Sequence, residues 1–221
     1  MLIFMKNVKK FLNTEGTSIR AIHYSAGRAY ASDNHSCIWV EDASGREGVF
    51  DTVHSVMVEG AVLPDYGKLL PPMRGDEPYA TVGVDKLAEF LAVLKAVNAC
   101  TPKRLIAGLL LVWHADGLRM YARDNDLRIE YSLSGKTENL TEEQGFYAAF
   151  DGRRLFDIMD YFRQRKAPVR FYPPRRKHAP LRMDVDADAI TATPAGGLLS
   201  PLSHLEGEKE RFADVIPDSA E

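Results

Sequence analysis

One pattern occurs twice in this chain and a third time in looser form, and it limits the available folds more than any other feature. Residues 19–41 read IRAIHYSAGRAYASDNHSCIWVE and residues 105–133 read LIAGLLLVWHADGLRMYARDNDLRIEYSL. Both open with a β-rich run and turn at a glycine, Gly27 or Gly117. Both then add a short strand, turn again at Asp33-Asn34 or Asp124-Asn125, and close with a third strand that places Ile38 or Ile129 four residues past the Asn. Asp and Asn suit such turns because their side chains bond nearby backbone and tolerate positive φ. Asp116-Gly117 is a strong hairpin signal. The third copy has a strand at 169–172, a long basic turn at 173–180, a strand at 181–185, a turn at Asp186-Ala187-Asp188 and a last strand at 190–193.

A helix candidate precedes each copy. The first is short, residues 7–12. The second spans 85–97, with Val84, Leu87, Leu91 and Leu94 at helical spacing. The third spans 152–165, with Leu155, Ile158, Met159 and Phe162 on one stripe. Asp85 and Asp151 stand where N-caps belong. The expected class is α+β: a repeated helix plus antiparallel β-meander, helices on one face of the sheets. Trp39, Trp113, Tyr121 and Phe171 fall in strand patterns and are expected in the core. Between the first two copies lie a β-like run at 53–58 and a proline-bounded stretch at 63–72 that reads as a linker. From residue 205 the chain carries six acidic and two basic residues. The expected divisions are therefore 1–72, 73–195 and a flexible acidic tail, 196–221.

The chain is 45% hydrophobic over 221 residues, enough for one large or two small cored domains. A net charge of −3 gives no sign of nucleic acid by itself; distribution decides that. Cys37 and Cys100 have no zinc spacing and read as buried free thiols in a reducing compartment. The longest apolar run, 105–113, is too short to span a bilayer, and residues 1–5 are too short for a signal segment, so a soluble cytoplasmic protein is expected. Chemistry has little support. Ser32, Asp33 and His35 lack any nucleophile setting. His23, His35 and His54 match no metal-ligand spacing, and the glycines are too scattered for a phosphate loop. Neither catalysis, cofactor nor metal is expected.

Basic residues gather on and after the helices. Lys6, Lys9 and Lys10 line the first; Lys86, Lys95, Lys103 and Arg104 lie on or near the second. Residues 151–177 hold nine Lys/Arg against three Asp, including Arg153, Arg154, Arg163, Arg165 and Lys166. Such a set is either a phosphate-contacting surface or an ordinary solvated face.

Two segments resemble a known family. Tyr30-Ala31-Ser32-Asp33-Asn34-His35-Ser36-Cys37 resembles the A-T-D-G-H-R-L segment in the middle domain of the bacterial DNA sliding clamps, the DNA polymerase III β subunits. Leu63-Pro64-Asp65-Tyr66-Gly67-Lys68-Leu69-Leu70-Pro71 resembles the F-P-D-Y-R-R-V-L-P segment joining that family's middle and last domains. Residues 79–194 match the last domain in length and layout, ending in Thr193-Pro194 where the family has Met-Pro. The resemblance covers residues 18–194, without the first domain and with an abridged middle one. It implies a non-catalytic factor that assembles as a homo-oligomer around duplex DNA and tethers polymerase or repair proteins. The alternative is a non-encircling adapter or inhibitor that binds replication proteins or the resident clamp. The DNA-facing residues would be Lys6, Lys9, Lys10, Lys86, Arg153, Arg154, Arg163, Arg165 and Lys166. The partner-peptide groove would use Ser32, Asn34, His35, Ser36, Cys37, Pro64, Lys68, Leu69, Thr191 and Thr193. Ser36, Cys37, Thr191 and Thr193 replace larger basic or apolar residues of the family, so this groove would be the more polar one.

Overall fold

In the computed structural model, residues 1–12, 21–52, 55–61, 65–70, 75–102, 105–123, 127–176, 179–185, 193–202 and 211–217 are described. The first unit begins with α1 (Leu2–Asn7), which tightens into a 3₁₀ turn (Val8–Phe11). It continues through β1 (Ala21–Ser25), β2 (Arg28–Ser32), β3 (Ser36–Glu41) and β4 (Gly48–Asp51). A single helical turn, α2 (Tyr66–Leu69), and β5 (Tyr79–Val82) lead to the second unit. That unit is α3 (Val84–Cys100), β6 (Gly108–His114), β7 (Gly117–Arg123) and β8 (Arg128–Ser132). Two strands, β9 (Thr137–Glu138) and β10 (Phe146–Asp151), precede the third unit of α4 (Gly152–Arg165), β11 (Val169–Tyr172), β12 (Leu181–Val185) and β13 (Ala195–Leu199).

Among the described residues all strand pairs are antiparallel and make two sheets. One has nine strands in the order β4-β1-β2-β3-β13-β12-β11-β5-β9, and the other four in the order β10-β6-β7-β8. Each sheet buries one face against the helices. Phe4, Val8 and Phe11 of the first unit, Leu87, Phe90, Leu91 and Leu94 of α3, and Leu155, Ile158, Met159 and Phe162 of α4 belong to one continuous core. Gly117 is required at its turn: φ is +134°, and an added Cβ would lie 2.1 Å from the Ser134 carbonyl oxygen.

The two halves of the large sheet meet at β3 and β13, in register Trp39↔Gly196 and Cys37↔Leu198. The seam is close-packed on both faces. A Cβ on Gly196 would fall 2.4 Å from Trp39 Nε1, and one on Gly197 would fall 2.9 Å from Ile158 Cγ2. The Tyr161 hydroxyl of α4 donates to the Trp39 carbonyl at 3.2 Å and fixes the helix under the seam.

Several boundaries differ from the sequence reading. The first helix starts at Leu2 rather than residue 7, because Phe4 belongs to the same buried stripe as Val8 and Phe11. Gly83 caps α3, and Asp85 sits in the first turn, where its charge still favours the helix dipole. Asp151 caps α4 as expected, accepting from the Arg153 N–H at 2.9 Å. Apart from Thr193, the strand expected at 190–193 lies outside the described residues, and β13 is a strand the sequence reading did not foresee. Residues 196–199, expected to open a flexible tail, complete the large sheet, and residues 211–217 pack on the smaller one through Phe212. In the 53–58 run, 53 and 54 are outside the described residues, and Met57 makes a single bridge to Phe50. Cys37 is buried, but Cys100 is exposed at the end of α3. Among the described residues no helix is long and apolar enough to cross a membrane, and no three His, Cys, Asp or Glu side chains gather as a metal site would need.

Candidate nucleic-acid and partner-docking surfaces

The outward side of the helices is mixed in charge. Lys6 and Lys9 of the first unit, Lys95 of α3 and Lys166 at the end of α4 are exposed. Lys10 instead donates to Asp160 at 2.8 Å and lies 3.9 Å from Asp157. Arg163 also binds Asp160, at 2.7 Å. Burial would raise the Asp160 pKa, but hydrogen bonds from Lys10 and Arg163 outweigh it and hold the carboxyl below its ordinary range. Asp157 lies above that range, chiefly through burial, with Lys10 opposing. Lys86 pairs with Glu89 at 2.9 Å and lies 4.9 Å from the Tyr131 ring centre.

On the opposite face of the large sheet an aromatic shell forms at the β3–β13 seam. Side chains alternate along a strand, so Ile38 and Val40 enter the core while Cys37 and Trp39 face outward. Tyr30, Tyr66, Leu70 and Leu198 complete the shell. Tyr66 stacks on Tyr30 at 4.1 Å and 12°, with His23 tilted against both. Arg28 lies 4.4 Å over the Trp39 ring. Burial pushes the Cys37 thiol and the Tyr66 hydroxyl well above their ordinary pKa values, so both stay protonated. Asp65 caps α2 by accepting from the Lys68 N–H, which leaves Leu69 exposed. Lys68 and Leu69 then border an open cleft of about 940 Å³ whose far wall is Tyr172, Pro173, Arg176 and Pro180, from the β11–β12 connection.

The Asp33–Ser36 turn is built from its own polar groups. The Asp33 carboxylate accepts from the N–H of His35 at 3.0 Å, the N–H of Ser36 at 2.7 Å and the Ser36 hydroxyl at 2.9 Å. Ser32 donates to the Ser36 carbonyl and accepts from the Asn34 N–H. Asn34 takes the left-handed conformation the turn needs, φ +72°. Arg154 closes an ion pair on Asp33 from α4. Burial would raise the Asp33 pKa; the Ser36 N–H, the Arg154 charge and the His35 N–H overcome it and hold the carboxyl low.

No protein-family model and no curated protein matches the sequence. Solved structures do match. The Bacillus subtilis DNA polymerase sliding clamp superposes with a TM-score of 0.67 at 12% identity, covering 91% of this chain and 62% of that one. A Bartonella birtlesii sliding clamp bound to griselimycin gives 0.63 at 15% identity, covering 90% and 63%. The Caulobacter crescentus β sliding clamp with polyethylene glycol bound gives 0.62 at 14%, covering 91% and 63%. The chain has the bacterial sliding-clamp fold. It spans a little under two thirds of the length of the clamps it matches.

Within this clamp fold the residues singled out by sequence separate into groups. Lys6, Lys9 and Lys166 remain exposed cations, whereas Lys10, Lys86 and Arg163 are each paired with a carboxylate. Arg154 is spent on Asp33. Arg153 ties α4 to the end of α3, donating to the carbonyls of Thr101, Pro102 and Leu105. Arg165 is not a surface cation at all: it is 2% exposed, donates to the Thr193 carbonyl and lies over the Tyr161 ring. Of the groove set, Ser36 and Cys37 are buried, Ser32 is held in the turn, and Asn34 and His35 are exposed at its tip. Lys68 and Leu69 line the cleft, while Pro64 and Thr191 lie outside the described residues. The residue that β13 brings beside Cys37 is Leu198, so the late part of the chain reaches the shell further on than Thr193. Sequence reasoning missed Leu198, Trp39 and Tyr30 as members of an outer-face shell. The signal that finds two of them is strand alternation, since Tyr30 and Trp39 sit one residue out of phase with the core positions Ala31 and Ile38.

Proposed function

We propose that this chain works as a shortened sliding clamp in the cytoplasm: a non-catalytic factor that oligomerises around duplex DNA and tethers replication or repair proteins. The observation that carries the reading is the sliding-clamp fold itself, with the helices of three repeated units gathered on one side and Lys6, Lys9, Lys95 and Lys166 exposed from them. Cations spaced over a helical surface hold phosphates without reading bases, which is what sliding requires. A ring would be built from several copies of the protein, since head-to-tail contacts close into rings when the rotation allows. The turn at Asp33 supports a non-catalytic role, since Ser32 and Asp33 are consumed by their own backbone. Lys68 and Leu69, beside the cleft, are the residues proposed to meet a partner peptide.

The deciding experiment is native mass by analytical ultracentrifugation, with and without nicked circular DNA. The ring reading expects a multimer retained on circles and lost when they are linearised. A monomer at all concentrations, indifferent to circles, removes it. The carboxylates Asp157 and Asp160, set against Lys10 and Arg163, favour a second reading: an adapter that binds replication proteins or the resident clamp and never encloses DNA. That reading expects no DNA retention, together with partner binding that Leu69→Ala weakens.

A further inference from the structure

The smaller sheet carries a surface that the clamp reading does not use. Strand β6 is apolar on both faces. Leu109, Leu111 and Trp113 enter the main core, while Leu110 and Val112 join Tyr121 of β7 and Ala149 of β10 on the outer side. A strand that is apolar on both faces needs cover on both. Residues 211–217 supply it. Phe212, 2% exposed, sits on Leu110, Val112, Tyr121 and Ala149, and Leu202, Val215 and Ile216 pack around them.

The attachment combines one apolar anchor with a polar lock. Arg123 of β7 binds the Asp214 carboxylate with both terminal nitrogens, and Nη2 lies 3.0 Å from Oδ2. The same guanidinium donates to the Arg211 carbonyl at 3.0 Å and lies 5.4 Å from the Phe212 ring centre. Arg211 returns a bond to the Arg123 carbonyl at 3.2 Å, and Arg128 approaches Asp214 at 3.3 Å. The segment does not extend the sheet as a strand. Its backbone closes on itself, with the N–H groups of Val215 and Ile216 donating to the Phe212 carbonyl. Recognition therefore rests on side chains: an aromatic pocket, and an arginine fork that reads a carboxylate two residues after the aromatic. We propose that this outer face is a peptide-docking site for a partner segment with an aromatic anchor, a carboxylate two residues later and a β-branched pair after it, and that residues 211–217 are its cis occupant, displaceable by such a segment in trans.

Residues 203–210 tether the occupant to the sheet face, so it competes at an effective concentration in the millimolar range. A trans peptide binds only the fraction of molecules whose site is open. The probe is a fluorescein-labelled peptide of residues 209–218, KERFADVIPD, titrated by anisotropy against the full chain. Phe212→Ala should raise its affinity at least about tenfold over the unsubstituted chain, because the tethered competitor loses its anchor. Adding Arg123→Ala should remove that gain, and a scrambled peptide should show none. Equal binding to the unsubstituted and Phe212→Ala chains, or a gain indifferent to Arg123→Ala, overturns the proposal. If circular dichroism shows that Phe212→Ala unfolds, Asp214→Lys serves instead, because that side chain is 56% exposed. It should open the site and speed hydrogen exchange at 211–217, and unchanged exchange with no peptide binding overturns the proposal equally. None of these outcomes depends on whether the protein encloses DNA.

Discussion

Asp33 shows how a residue that reads as a candidate for chemistry can belong wholly to architecture. Its carboxylate organises the turn and receives Arg154 from α4. Asp33→Asn should cost about 1–3 kcal/mol, measured by urea unfolding at neutral pH. The pH dependence has a definite sign. The folded pKa lies below the unfolded one, so the contribution is complete above the ordinary carboxylate range and drains away as pH falls through the folded value. The gap between Asp33→Asn and the unsubstituted protein should therefore shrink on acidification toward pH 3; a gap constant with pH contradicts the assignment. Lys166, at φ 55°, is a left-handed helix cap in a position glycine fits better. Lys166→Gly should raise stability by about 0.5–1 kcal/mol while deleting one proposed phosphate contact, which separates the two roles in a single variant. The arginines teach a related lesson. Arg165 continues the spacing of Leu155, Ile158 and Phe162, so its burial was legible from the helix period. The role of Arg153 was not, because its acceptors are carbonyls at the far end of another helix.

At the scale of elements, α3 and α4 were readable to within a turn; α2 lies in a stretch that read as a linker, and the start of α1 depends on Phe4 meeting a core assembled from elsewhere. Asp-Asn and Asp-Gly punctuation located the early meanders because turn chemistry is local. The last strand escaped for the opposite reason. Ala195-Gly196-Gly197 has poor intrinsic β preference, and it forms a strand because β3 and β12 hold it on both edges. Its glycines are fixed by what presses on them: Trp39 on one face, Ile158 and Phe162 on the other. Gly196→Ala should destabilise by about 1–3 kcal/mol through overpacking against the indole, read as a lower urea midpoint with an unchanged slope. Gly135, where an added Cβ has open space, should accept Ala with a change of roughly half a kcal/mol or less. At the candidate surfaces, the motif at 30–37 found the turn that abuts the shell. The cleft is different: it pairs Lys68 and Leu69 with Pro173 and Pro180, a contact between segments more than a hundred residues apart that no local pattern encodes.

For the whole molecule, the proposed encirclement is a question of charge summed over a surface. Lys6→Glu with Lys9→Glu leaves the core untouched and should lower DNA retention, reducing the slope of log affinity against log salt by about two if each lysine meets one phosphate. A slope that does not move takes α1 out of the DNA-facing layer. The seam between β3 and β13 carries a further consequence, in the order in which a ribosome delivers the chain. The edge of β3 is synthesised by residue 41, yet its partner strand begins at residue 195. At about 5–20 residues per second the early unit waits on the order of ten seconds with that edge unpaired and the Trp39 side of the seam uncovered. Vectorial synthesis thus makes the first unit the vulnerable stage of biogenesis. A ribosome stalled before residue 195 would hold a nascent segment that is protease-sensitive and apt to recruit chaperones, and the sheet would close only once all of β13 is clear of the ribosome.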